Sequence, residues 1–154
     1  MPAHAKQNLA GLFVSARAAP GREKPAAKHL ASDDALWDDI RQLGGTRSEI
    51  LDDADLRRAF LPALRSDYKL SELYQQRPGP PLACPLTALL GDRDPDAAPE
   101  DAAAWSRETT ADFSIRVFPG GHFYLTSRLP EVIDEVLIRL ARRISSAQDG
   151  WAGP

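Results

Sequence analysis

A histidine follows two glycines in "RVFPGGHFYL" (residues 116–125), and two aspartates punctuate "GDRDP" (residues 91–95). An imidazole beside a carboxylate is an acid–base unit. The carboxylate holds the proton on one ring nitrogen and stabilises the charged ring, which leaves the other nitrogen as a general base. Each motif follows an apolar run with strand character. In open α/β sheets, sites lie beyond the carboxyl ends of the strands. That places either Asp92 or Asp94 near His122, and Gly120 and Gly121 allow the tight backbone turn that would present the ring. The plain alternative is an Asp-rich turn and a solvated histidine, and spacing alone does not separate the two.

A base needs something to activate. Ser15, in "FVSARA", is the one serine at a strand end, but it lacks the flanking glycines of a strained nucleophile turn. Ser66 and Ser127 read as surface or capping residues. Cys84 stands early in its strand, away from the carboxyl end, and reads as a small buried residue. His4 and His29 fall in segments with no periodic pattern and read as solvated. Trp37 and Trp105 lie on helical stretches and read as packing anchors, whereas Phe123 and Tyr124 are placed to pack beneath the histidine turn.

The elements that must position these residues follow from periodicity. "LAGLFVSA" (9–16), "LACPLTALLG" (82–91) and "DFSIRVFPGG" (112–121) read as strands, with the paired stretches expected over 9–16, 84–90 and 113–118. "SDDALWDDIRQLGG" (32–45) reads as a helix capped by Ser32, with Asp33 and Asp34 at its positive end and Gly44–Gly45 stopping it. Residues 46–76 read as further helical segments. Thr46 with Glu49 forms a possible capping box, Pro62 is expected to break or kink the run, and Leu56, Phe60, Leu64 and Tyr68 give an apolar stripe that Leu70, Leu73 and Tyr74 continue. "RPGPP" (77–81) is a rigid linker. Pro99 opens a helix running to about Thr109, and "LPEVIDEVLIRLARRI" (129–144) is amphipathic, ahead of a loose tail. Strands alternating with helices predict an α/β fold with about three parallel strands. The helical stretch between the first two strands is too long for one crossover and reads as a cap over a site.

Composition narrows the function classes. The chain has 154 residues, 43% apolar and 27% charged, enough for one soluble domain with a core. A net charge of −3 argues against a nucleic-acid partner, and no apolar run approaches the roughly 18 residues of a membrane-spanning helix. The N-terminus lacks the pattern of a signal peptide, and a single cysteine excludes an internal disulfide framework and a Cys-based zinc cluster; both point to the cytoplasm.

The order strand–"GDRDP"–helix–strand–"FPGGHFYL"–helix resembles the C-terminal portion of type II thioesterases, α/β-hydrolases that edit nonribosomal peptide and polyketide assembly lines in antibiotic biosynthesis. "LFVSARAAP" resembles the family strand and loop that follow the nucleophile helix. "LGGTRSEIL…LRRAFLPALRSDYKLSELY" resembles its lid, and "PLACPLTALLGDRDP", "AAWSRETT" and "FSIRVFPGGHFYL" resemble its acid and base segments. The likeness covers about residues 11–144.

This resemblance implies a partial α/β-hydrolase, residues 1–154 forming a single truncated thioesterase domain with a helical lid insertion over 32–76. The triad order Ser–Asp–His puts the acid at Asp94 and the base at His122. The family's Gly-x-Ser-x-Gly elbow and its oxyanion hole lie upstream of the matched stretch, and no such elbow occurs among these residues. The complete form would hydrolyse acyl or aminoacyl thioesters from the phosphopantetheine arm of carrier proteins, with no cofactor of its own and with a carrier protein or synthetase as partner. Phe123 or Tyr124 could then touch the acyl chain. Three readings of the missing serine stand: a truncated or misannotated reading frame, a noncatalytic remnant that docks a carrier protein or synthetase, or half of a split enzyme. The first strand should present an open edge that favours self-association.

Overall fold

A computed structural model describes residues 9–149, apart from residues 24, 25, 76 and 78. His4 and the tail beyond Asp149 lie outside the described residues, as does the side chain of Ile144. Three strands, β1 (Leu12–Ser15), β2 (Leu86–Gly91) and β3 (Phe113–Phe118), form one parallel sheet in the order β1-β2-β3. Leu12 pairs with Leu86 and Leu86 with Phe113 in register. The first two strands are shorter than their apolar runs: pairing with β2 starts only at Leu12, and the stretch before Leu86 leaves the ladder except for a bridge between Leu82 and Thr109.

Parallel strands need long crossovers, and the helices supply them. β2 is the central strand and every residue in it is buried, as its apolar run, interrupted only by Thr87, requires. Its side chains alternate between two packed layers. Ala88 and Leu90 pack with Ala97, Ala102, Val14, Trp105, Phe113 and Ile115, under α4 (Pro99–Ala103) and the 3-10 turn Ala104–Glu108 that extends it. Leu89 packs on the other face with Phe118, Tyr124, Val132 and Phe13, against α5 (Tyr124–Ser127) and α6 (Leu129–Asp149). Cys84 is buried, as expected for a small apolar residue.

Between β1 and β2 stand α1 (Asp33–Leu43), α2 (Ser48–Leu51) and α3 (Ala54–Leu73). Ser32 caps α1 by accepting from the amide of Ala35, and Gly44 and Gly45 end it at positive φ of 75° and 83°. This block has its own small core of Leu36, Trp37, Leu51 and Leu61, separate from the core of the sheet, and the Trp37 indole donates to the Leu51 carbonyl at 2.8 Å.

Two expectations for the block fail, and a third holds only in part. Pro62 neither breaks nor ends a helix: α3 runs through it from an N-cap at Asp53, whose carboxylate accepts from the amides of Asp55 and Leu56. The proline ring lies on the exposed side, and the strong cap and the buried Leu61 outweigh one missing amide. The Thr46–Glu49 box does not form, because α2 begins at Ser48 after Arg47 with no side-chain cap. The stripe holds only in part: Leu64 and Tyr68 pack against this core and Leu56 is half-buried, but Leu61 takes the buried place expected of Phe60, and Phe60, Leu70, Leu73 and Tyr74 are exposed.

Candidate active site

The carboxyl ends of all three strands converge on one edge of the sheet. β2 runs out at Gly91 into Asp92–Asp94, and β3 runs out at Phe118 into residues 119–122. The two loops are sewn together by backbone bonds: the Asp92 amide donates to the Phe118 carbonyl at 2.9 Å and the Arg93 amide to the Gly120 carbonyl at 2.9 Å. Glycines permit this closeness. A Cβ on Gly91 would sit 2.3 Å from the Gly121 carbonyl oxygen, and one on Gly120, where φ is 145°, would sit 2.9 Å from Tyr124 Cβ.

Sequence spacing left two acids possible, and the fold gives them different tasks. Asp92 accepts from the Gly120 amide at 2.8 Å, so it braces the histidine loop. Asp94 faces His122, with Nδ1 at 3.1 Å from both carboxylate oxygens. The Asp94 side chain is fully buried, while His122 is 24% exposed. The Asp96 amide donates to Asp94 Oδ1 at 2.9 Å, which fixes the carboxylate from behind. A buried carboxylate held this way sets the Nδ1–H tautomer and leaves Nε2 for outside chemistry. Among the described residues Nε2 has no hydrogen-bond partner. Phe123 stands edge-on to the ring at 5.1 Å, packs against Gly45 at the end of α1, and is exposed. Tyr124 is buried beneath the turn.

His122 borders a cleft of about 700 Å³ shared with the Ala16–Lys28 connection and the helical block, and Lys28, Tyr68, Glu72 and Asp96 also line it. Lys28 reaches Asp39 at 2.8 Å and Asp96 at 3.8 Å, over the Tyr68 ring. Tyr68 donates to Asp39 at 2.6 Å, and burial followed by that bond pushes its phenol pKa up, so it remains a neutral donor. A smaller cavity of about 370 Å³ lies at the other end of the strands, near Arg139 and Asp112, and contains no histidine.

His29 is not solvated. Its Nδ1 pairs closely with Glu72, and both side chains are nearly buried, at 12% and 10% exposure. Glu72 also accepts the amides of Lys28 and His29, while Arg65 donates to the carbonyls of His29 and Ala31. Burial alone would raise the Glu72 carboxyl, but the hydrogen bonds from His29 and Lys28 outweigh it and hold the pKa below the usual range. The missed signal is separation: the partners stand 43 positions apart, and no local pattern joins them.

Ser15, the alternative nucleophile, is engaged elsewhere. Its hydroxyl lies 2.7 Å from that of Tyr124. Ser66 and Ser127 bond backbone carbonyls on their own helices, as surface and capping serines do. Among the described residues, no group of three or more His, Cys, Asp or Glu side chains is placed to hold a metal ion, and no helix is long and apolar enough to cross a membrane.

A parallel sheet with an acid loop and a histidine loop at adjacent strand ends is an α/β-hydrolase type of arrangement. The chain belongs to the thioesterase domain family, whose model matches residues 3–139. Thioesterase PikA5 of Streptomyces venezuelae is 44% identical over 126 residues, covering 82% of this chain and 45% of that protein. The gramicidin S biosynthesis protein GrsT of Aneurinibacillus migulanus is 36% identical over 130 residues, covering 82% and 50%. Among solved structures, the type II thioesterase BorB of the borrelidin biosynthetic cluster superposes with a TM-score of 0.75 at 43% identity, covering 86% of this chain and 54% of that one. RedJ of the prodiginine pathway of Streptomyces coelicolor gives 0.73 at 40% identity, covering 86% and 52%. The chain spans about half the length of these relatives.

Proposed function

We propose that these residues carry the acid, the base and the lid of a serine thioesterase that clears acyl or aminoacyl groups from the phosphopantetheine arms of carrier proteins in peptide or polyketide assembly lines. The observation that carries the reading is the buried Asp94 carboxylate on His122 Nδ1, with the ring bordering the cleft beneath the helical block. The serine comes from a Gly-x-Ser-x-Gly elbow, a motif these 154 residues do not contain.

His122 Nε2 takes the proton as the serine oxygen attacks the thioester carbonyl, and Asp94 stabilises the resulting imidazolium. Collapse of the tetrahedral adduct breaks the carbon–sulfur bond, and the proton on Nε2 goes to the departing thiolate. Water then attacks the acyl-serine. Its proton passes to Nε2 and on to the serine oxygen, and the free acid leaves. Backbone donors beside the elbow stabilise the oxyanion. Residues 32–76 act as the lid, limiting water at the acyl-serine.

The test compares thioester turnover by the 154-residue chain, by the chain joined to a thioesterase segment bearing the elbow, and by the joined His122→Ala form. The expected pattern is negligible turnover alone, restored turnover when joined, and loss again in His122→Ala. Turnover by the isolated chain that Ser15→Ala abolishes would refute this reading and name Ser15 as nucleophile. A joined, folded protein that binds carrier protein without turnover would favour the docking remnant.

A further inference from the structure

The bond between Ser15 and Tyr124 is not used by the acid–base pair, yet it crosses the whole site. Ser15 is the last residue of β1, and Tyr124 begins α5 after β3, 109 residues away. The bond therefore spans the sheet beneath the acid loop that leaves β2. The tyrosine ring is 1% exposed and stacks on Phe118, the last residue of β3, at 5.3 Å and 9°. Burial raises the phenol's pKa by more than the Ser15 bond lowers it, and the Asp94 charge adds a smaller upward push, so the hydroxyl is neutral at ordinary pH. A buried neutral phenol needs a partner, and this one has found it at the far edge of the sheet.

The position of Tyr124 gives the bond its consequence. His122 is two residues earlier, in a loop tied to the acid loop that follows β2 by the bonds of Gly120 to Asp92 and of Arg93 to Gly120. The Tyr124 amide donates to the Gly121 carbonyl at 3.1 Å, so the turn carrying His122 closes onto the tyrosine backbone. Stacking on Phe118 fixes the plane of the tyrosine ring. Packing with Leu89, Val132 and Phe13 encloses the ring, and the bond at its tip adds the directional restraint on how far it reaches across the sheet, and with it on the first turn of α5.

We propose that Tyr124 is a positioning residue, and that its hydroxyl latch to Ser15 holds the His122 loop at the setting in which Nδ1 meets both oxygens of Asp94. The latch rests on reading Asp94 and His122 as the acid–base pair. It differs from a packing role in one clear respect: Tyr124→Phe keeps the ring, the burial and the stack, and removes the latch alone.

The experiment is proton NMR of the histidine-labelled 154-residue chain, following the exchange of the His122 Nδ1 proton. A proton held by a buried carboxylate exchanges slowly, and Asp94→Asn identifies the signal by removing that partner. Tyr124→Phe and Ser15→Ala are each expected to speed exchange roughly fivefold to tenfold, as loss of one ordinary hydrogen bond allows. The double variant should be no faster than either single one, because both remove the same bond. Ser15→Thr, which keeps a hydroxyl, should restore slow exchange. Ser15 is partly exposed, so its variants keep the test open should Tyr124→Phe unfold. Folded Ser15→Ala or Tyr124→Phe with exchange within about twofold of the parent would overturn the latch. Absence of any protected signal in the parent would strike the Asp94–His122 pairing itself, and the latch with it.

Discussion

Asp94 and Asp92 show how two identical side chains two residues apart divide their work. Asp94 is fully buried and faces an imidazole; Asp92 is half-exposed and faces a backbone amide. In a completed thioesterase, His122→Ala is expected to lower kcat by roughly a thousandfold or more, and Asp94→Asn by a comparable factor, because an amide cannot hold the correct tautomer or stabilise its charged form. Asp92→Asn keeps an oxygen acceptor for Gly120 and should cost far less; steady-state kinetics with an acyl thioester checks all three. Gly91→Ala is expected to destabilise the fold without touching a reacting group, since its Cβ would press to 2.3 Å on the carbonyl of Gly121. Backbone on both sides leaves little room to yield. A loss of about 1–3 kcal/mol, the range for overpacking, should appear in urea unfolding.

The helical block depends on how its ends are tied. The chain enters it at residues 28–30 and leaves it at Glu72 and Leu73, and Glu72 clasps the entry through His29 and two amides. Because the folded Glu72 carboxyl has a pKa below its unfolded value, it contributes stability that is complete above about pH 4.3 and is lost as pH falls through the folded value. Unfolding measured at neutral pH and in acid should therefore show a component that Glu72→Gln lacks. Pro62 makes the opposite prediction. It sits inside α3 with its ring exposed, so Pro62→Ala restores an amide donor to the helix and removes a steric conflict. A gain of about 1–2 kcal/mol is expected by thermal unfolding, less than the full helix penalty because α3 already accommodates the ring.

Seen whole, the molecule leaves apolar surface uncovered. Leu129, Ile133 and Leu137 form an outer stripe on α6 at 52%, 47% and 57% exposure, and β1 has one neighbour among the described strands, its residues only half-buried. Such a face and such an edge favour association. Light scattering of the chain is expected to show concentration-dependent growth, reduced by Ile133→Lys with Leu137→Asp; a dilution-resistant monomer would contradict this. Much of the architecture was already legible in local pattern. The apolar runs ending at Ser15, Gly91 and Phe118, the Ser32 cap and the Gly44–Gly45 stop are local signals, because strand alternation and helix capping are decided by residues within a few positions of each other. The sequence by itself thus determined three strands alternating with helices, and an acid and a histidine at adjacent strand ends. Local pattern left Asp92 and Asp94 both open, and only the family resemblance pointed to Asp94, which the tertiary structure turns toward His122; that His29 is paired, that Ser15 bonds Tyr124, and that α3 carries a proline through its middle were decided by the tertiary structure alone. Each of these joins residues far apart in the chain, or weighs a local penalty against burial elsewhere, and neither can be computed from a run of neighbouring letters.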